Sequence, residues 1–185
     1  MGMGEPMGNY NSVLSAMPPE GFGISARNIT VSTVGVVPGI KKLTAEGIPV
    51  RLAVSLHAPS DELRDELVPM NKRFNTTQVL DAAHDYWLAS KRRVSIEYAL
   101  MRGINDQAEH AQLLAKRLNH YGDNWAHVNP IPLNPIEGSK WTASKPEDEK
   151  QFLEILHRAG ITATLRDTRG QDIDGACGQL AAKER

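Results

Sequence analysis

Five short runs rich in β-branched residues recur along this chain, each separated from the next by a helical pattern. They are 28–32 (NITVS), 50–56 (VRLAVSL), 94–100 (VSIEYAL), 125–131 (WAHVNPI) and 161–165 (ITATL). Strand and helix alternating at spacings of roughly 25–45 residues define repeated βα units, which assemble on a parallel sheet. The opening Gly4-Glu5-Pro6 reads as the outgoing turn of one more strand. Closing a β/α barrel takes about eight strands, so the expected fold is α/β, a partial barrel begun in the middle. One domain is expected over 1–185, with a core at about 1–166 and a distinct tail at about 167–185.

The helices carry their own punctuation. Ser144-Lys-Pro-Glu147 predicts a capping box, followed by an apolar face of Phe152, Ile155, Leu156 and Ala159, with Gly160 as the stop. Thr76 or Thr77 is expected to cap a second helix and Asn105 or Asp106 to start a third. Shorter pieces are expected after Val37 and Ser60.

Composition narrows the function. With 185 residues, 41% hydrophobic and 23% charged, the chain is an ordinary soluble domain. Its net charge of −1 announces no nucleic-acid partner, so any basic surface must be local. One cysteine, Cys177, excludes an internal disulfide scaffold. No signal peptide and no run of roughly 18 apolar residues is visible. A cytoplasmic protein that does not enter a membrane is therefore expected. No Cys-x-x-Cys or His-x-x-x-His exists to hold a metal.

In parallel β/α folds, chemistry gathers at the C-terminal tips of the strands. Those tips read Gly4-Glu5, Ser32-Thr33-Val34-Gly35, Ser55-Leu56-His57, Asn134-Pro135 and Asp167–Gly170. Hydroxyls, bare backbone, a histidine and an amide suit a polar, zwitterionic small molecule. A phosphate loop is absent. Each feature also has a plain reading: Gly-Glu-Pro as a turn, Ser32 and Thr33 as local ties, His57 as a satisfied structural histidine. Cys177 lies in QDIDGACGQL, flanked by glycines. Arg166 and Arg169 favour its thiolate and the nearby aspartates oppose it. A functional thiol and a buried small hydrophobe both stay open on local grounds.

Taken in order, GMGEP, TVSTVGVVPGI, LAVSLHAPSDELRDELVPMN, HVNPIPLNP and DIDGACGQL resemble the RlmN/Cfr family of radical S-adenosylmethionine (SAM) RNA methyltransferases. The resemblance covers essentially the whole chain. It implies a (β/α)6 TIM-like partial barrel of the radical SAM type whose N-terminal strands are missing here. It implies that Gly4, Glu5, Ser32, Ser55, Leu56, His57 and Asn134 contact SAM, and that Cys177 is catalytic and becomes S-methylcysteine. It also implies a [4Fe–4S] cluster whose cysteine ligands are not in this chain, and an electron donor to reduce it. The substrates would be 23S ribosomal RNA and transfer RNA, methylated at carbon 2 of an adenosine, with carbon 8 as the alternative. Arg92, Arg93, Arg102, Lys140 and Arg169 could meet phosphates. By itself the chain would then be inactive.

Two rival readings stand beside this one. A cluster-independent β/α enzyme would use His57, Glu97 and Asp167 for acid–base chemistry. A non-catalytic fragment would only bind SAM or RNA.

Overall fold

The computed structural model describes residues 4–17, 23–122, 124–134 and 139–166. Asp167, Arg169 and Cys177 lie outside the described residues. Four parallel strands form one sheet in the order β1 (Thr30–Thr33), β2 (Arg51–Ser55), β3 (Val94–Leu100) and β4 (Ala126–Pro132). Helix α2 (Val37–Glu46) follows β1, α3 (Asp61–Leu67) and α4 (Thr76–Ser90) follow β2, α5 (Ala108–Asn119) follows β3 and α6 (Pro146–Arg158) follows β4. A short α1 (Tyr10–Ser15) precedes them behind a 3-10 turn at Pro6–Asn9. No helix among the described residues is long and apolar enough to cross a membrane.

The strand sequences explain which face is covered. In β3, Val94, Ile96, Tyr98 and Leu100 are buried, while Ser95, Glu97 and Ala99 are only half-buried. Successive side chains of a strand point to opposite faces, so one face collects the aliphatics and the other the polar groups. The aliphatic face joins Val31, Leu52, Val54 and Val128 to Ile40, Leu43, Leu80, Leu114, Leu118 and Phe152 of the helices in one core. Each such buried side chain contributes about 1.5–3 kcal/mol. Large residues with polar ends are satisfied within that core. Tyr86 Oη donates to Val50 O (2.9 Å), and Trp125 Nε1 donates to Leu118 O (3.1 Å). The Tyr98 ring lies 5.1 Å from that of Phe152.

Three cap expectations are corrected. The cap of α4 is Asn75, whose Oδ1 accepts from Gln78 N (2.9 Å), while Gln78 Oε1 accepts from Asn75 N (3.0 Å). This is a capping box one residue early, because the Thr76 hydroxyl donates to the Asp61 carboxylate. Ser144 does not cap α6: its hydroxyl donates to the buried Asp106, and Lys145 takes the N-cap position without a side-chain bond. Pro146 has no N–H to satisfy, and Glu147, Asp148 and Glu149 supply negative charge to the first turn. Gln107, not Asn105 or Asp106, precedes α5, because both of those side chains are buried in the turn after β3.

The run 161–165 is not a full strand. Only Ala163 bridges Val128, in parallel. Even so, Val128 N donates to Thr162 O (2.9 Å), Thr164 N to Val128 O (3.1 Å) and Arg166 N to Pro130 O (2.8 Å). The segment extends the sheet beyond β4. No further strand pairs with it among the described residues.

Candidate functional site

The uncovered face of the sheet is polar, and register sorts it into rows. Ser32, Ala53, Ser95 and His127 stand abreast in one row, and Ser55, Glu97 and Asn129 in the next. Glu97 joins the two rows: its carboxylate accepts from Ser95 Oγ (2.6 Å) and from Asn129 Nδ2 (2.8 Å). Asn129 does not stand out in the sequence as a site residue, although the alternation in A-H-V-N-P-I carries its signal.

The tips converge above these rows. Glu5 spans two of them, accepting from Met7 N (3.0 Å) through Oε1 and from Val34 N (2.9 Å) through Oε2. Each carboxylate oxygen keeps a lone pair for another donor. Gly4, Glu5 and Ser32 line a cleft of about 590 Å³ that runs along β1 and is largely apolar, with Val13, Met17, Ile29 and Val31 in its wall; Ser55, Leu56, His57 and Asn134 do not line it. Thr33 Oγ1 accepts from Gly35 N (3.2 Å) and Val36 N (3.3 Å), so the plain reading of Thr33 as a local tie holds. Gly35 has φ +101°, and a Cβ there would lie 2.8 Å from Val79. Asn134, two residues beyond β4, is buried.

His57 has φ 60°, a left-handed conformation that side chains rarely take. Leu56 N donates to Glu97 O (3.0 Å), and Ala99 N donates to His57 Nδ1 (3.1 Å). The accepting Nδ1 fixes the proton of the neutral ring on Nε2, so His57 offers a donor. Burial, with Arg64 nearby, lowers its pKa to about 4. A ring that is neutral at pH 7 with its basic nitrogen already occupied does not serve as a general base, which removes His57 from the acid–base reading. The depressed pKa has a stability consequence. Between about pH 6.5 and pH 4 the unfolded chain binds the proton that the folded chain refuses, so stability falls as pH drops through that window and is flat above it. Urea midpoints at pH 7.5, 6 and 5 should decline in the wild type, and the decline should be shallower in His57→Gln. Equal slopes would refute the neutral ring.

What holds these tips is Arg64, a fully buried side chain. Its Nε donates to Leu56 O (2.9 Å), and one terminal nitrogen donates to Val34 O (2.6 Å) and Ser55 O (3.2 Å). The other donates to Asn71 Oδ1 (2.9 Å). Burial lowers the Arg64 pKa to about 10, against the opposing pull of Asp61 and Asp65, so the charge persists at neutral pH. Asn71 Nδ2 in turn donates to Asp65 Oδ1 (2.7 Å) and Asp61 Oδ1 (3.3 Å). Asn105 performs the same service from the turn after β3. Its Nδ2 donates to His57 O (2.8 Å) and Ala99 O (2.7 Å), and its Oδ1 accepts from Met101 N (2.7 Å). Neither Arg64 nor Asn105 stands out in the sequence as a site residue. The R-D-E-L-V-P-M-N stretch contains the first signal, an arginine and an asparagine seven residues apart.

The basic residues fall on two sides. Arg102 follows β3 at the tip end, where its N donates to Thr142 O (3.0 Å), and Lys140 covers the Trp141 ring at 4.9 Å. Arg92 and Arg93 stand before β3, at the opposite end of the sheet, so they do not face the tips. Among the described residues no cluster of three metal-ligating side chains exists.

No family model matches the chain. A radical SAM methyltransferase from Sphaerobacter thermophilus superposes with a TM-score of 0.88 at 44% identity, over 97% of this chain and 53% of that one. A domain of pyruvate-formate lyase-activating enzyme from Bacteroides vulgatus reaches 0.69 at 15% identity, which speaks for the fold alone. The parallel β/α sheet and these two likenesses thus define a partial barrel of the radical SAM kind. Among curated sequences, "Probable dual-specificity RNA methyltransferase RlmN" of Bifidobacterium longum is 95% identical over the whole chain, and its namesake in Cutibacterium acnes is 62% identical. The chain belongs to the RlmN/Cfr family. It spans about half the length of the curated relatives it matches.

Proposed function

We propose that this chain supplies the SAM-binding tips and the methyl-carrying cysteine of an RNA methyltransferase acting on carbon 2 of an adenosine in 23S ribosomal RNA and transfer RNA. The observation that carries this reading is the gathering of Glu5, Ser32, Ser55, Leu56, His57 and Asn134 at one end of the sheet, in a chain 95% identical to an RlmN sequence. The donor set suits SAM. Glu5 offers acceptors to an ammonium group. Ser32, Ser55 and the Nε2–H of His57 offer hydroxyls and a donor to carboxylate and ribose oxygens. Gly4 leaves room for close backbone approach. When bound, SAM supplies a sulfonium methyl group and, with a reduced cluster, a radical source.

The cluster itself does not fit this chain. The sequence has one cysteine, and the described residues hold no ligand cluster. In this reading the cluster ligands belong to the rest of the protein, and the chain alone binds SAM without turnover. Cys177 carries the methyl group as S-methylcysteine. It must reach the tips as a thiolate, a state that Arg166 and Arg169 would favour and the aspartates preceding it in sequence would oppose. The adenosine must leave its stack to enter the same space. The cytoplasm holds both substrates.

The test joins this chain to the remaining half of the 95%-identical relative. The assembled protein, with cluster and reductant, is incubated with a 23S fragment and with transfer RNA. Nucleosides are then separated by mass spectrometry. The expected product is 2-methyladenosine in both RNAs. Production of 8-methyladenosine would instead establish carbon-8 chemistry, and SAM binding without any methylated nucleoside would leave a binding fragment.

A further inference from the structure

The end of the sheet away from the tips carries a feature that SAM chemistry does not use. Arg27, Arg51, Lys91, Arg92 and Arg93 surround an open cleft of about 480 Å³, with Ser95 and His127 on its wall. The cations arrive from successive places in the chain: the 3-10 turn before β1, the first residue of β2, and the turn between α4 and β3. Their concentration is not a matter of composition, because the chain as a whole has net charge −1. Nor are they neutralised from within: among the described residues the only ion pair closer than 4 Å is Arg158–Glu154, on α6. Like charges gathered this way repel each other unless an anion joins them.

Part of the group is fixed in place. Arg92 donates from a terminal nitrogen to Arg27 O (2.9 Å), and its backbone N–H donates to Ser90 Oγ (3.2 Å). The Arg92 Nε is buried and has no hydrogen-bond partner among the described residues. Arg27, Arg51 and Arg93 are exposed and make no side-chain hydrogen bond there. Lys91, with left-handed φ 55°, ends α4 and turns the chain into the cationic run.

We infer that this cleft binds the phosphodiester backbone of RNA, as a second contact area at the opposite end of the sheet from the base-receiving tips. The inference rests on the RNA substrate proposed above. Width favours a backbone over a single phosphate. Neighbouring strands lie about 4.8 Å apart, so cations from the starts of β1 to β3 spread over roughly 10 Å, more than one phosphate group can span. Depth places it as a separate contact: β3, at seven residues, sets the two ends about 23 Å apart. A structured RNA that offers a base at the tips has other phosphates at such distances. Arginine is also the side chain that best forks onto phosphate oxygens.

The test uses the assembled protein and the triple variant Arg27→Gln, Arg51→Gln, Arg93→Gln. Binding of the 23S fragment and of transfer RNA is measured as a function of salt. Every phosphate that no longer meets a cation reduces the slope of log affinity against log salt by about 0.7–0.9, so the slope of the triple variant should be smaller by about 2–3. Its SAM affinity and melting temperature should stay at wild-type values. The charge-keeping variant Arg27→Lys, Arg51→Lys, Arg93→Lys should retain the slope. An unchanged slope in the glutamine variant overturns the inference. Tight pyrophosphate binding that disappears in that variant, with the RNA slope unmoved, also overturns it and assigns the cleft to a small anion. The methylation reading fails separately: absence of methylated adenosine alongside a reduced slope would leave this RNA contact standing.

Discussion

Replacing Arg64 by methionine is expected to lower folding stability by about 3–5 kcal/mol, the range for removing one member of a buried charged network. Methionine fills much of the volume, so the loss isolates the hydrogen bonds. The carbonyls of Val34, Ser55 and Leu56 lose their donor together, as does Asn71 Oδ1, and each unsatisfied buried group costs about 1–3 kcal/mol before relaxation. Arg64→Lys should recover only part of the loss, because an ammonium lacks the planar fork that reaches three carbonyls and an amide at once. Asn71→Ala should cost less than Arg64→Met, since the three bonds to carbonyls survive. Urea unfolding provides the numbers. A loss below about 1 kcal/mol for Arg64→Met would show that water replaces the guanidinium and that Arg64 does not organise the tips. Any fall in SAM affinity should then be larger for Arg64→Met than for a core variant of equal stability loss, such as a truncation at Phe152 on the helix-covered face.

The strands are legible in the sequence because their two faces differ. The limits of β3 follow from β-branched alternation alone, and those of β2 and β4 to within one residue. Tip residues such as Ser55 and Asn134 follow from where the strands end. Capping is less legible. Thr76 and Ser144 are good capping types, but each spends its hydroxyl on a distant aspartate, Asp61 and Asp106, and no local pattern reveals a partner 15 or 38 residues away. Arg64 escapes for the same reason. In a helix written D-E-L-R-D-E-L it looks like a solvated charge, and only the tertiary fold shows it buried behind Val34 and Ser55. His57 is visible as a residue but not as a tautomer, because its Nδ1 is fixed by Ala99, 42 residues on.

Cys177→Ala in the assembled protein is expected to remove RNA methylation by at least about a thousandfold, as losing a covalent nucleophile does. The alanine has no atom able to hold the methyl group, so no slower version of the same route remains. Cys177→Ser should be equally inactive, since an unactivated hydroxyl is a far weaker nucleophile than a thiolate. Both variants should still bind SAM with wild-type affinity, because the groups proposed to hold it lie elsewhere, on Glu5, Ser32, Ser55, His57 and Asn134. Intact-mass analysis supplies a second readout: wild-type protein incubated with SAM should gain one methyl group on Cys177, and neither variant should gain it. Methylated RNA from Cys177→Ala would remove the carrier role.

The alternation in β3 carries a further consequence. Its odd and even positions answer to different pressures: Val94, Ile96, Tyr98 and Leu100 set how firmly the molecule stands, while Ser95, Glu97 and Ala99 lie on the half-buried face away from the helices. The two sets share a backbone but scarcely share neighbours. Substitutions on the half-buried face therefore leave the aliphatic core in place and act through the polar contacts of Glu97 with Ser95 and Asn129.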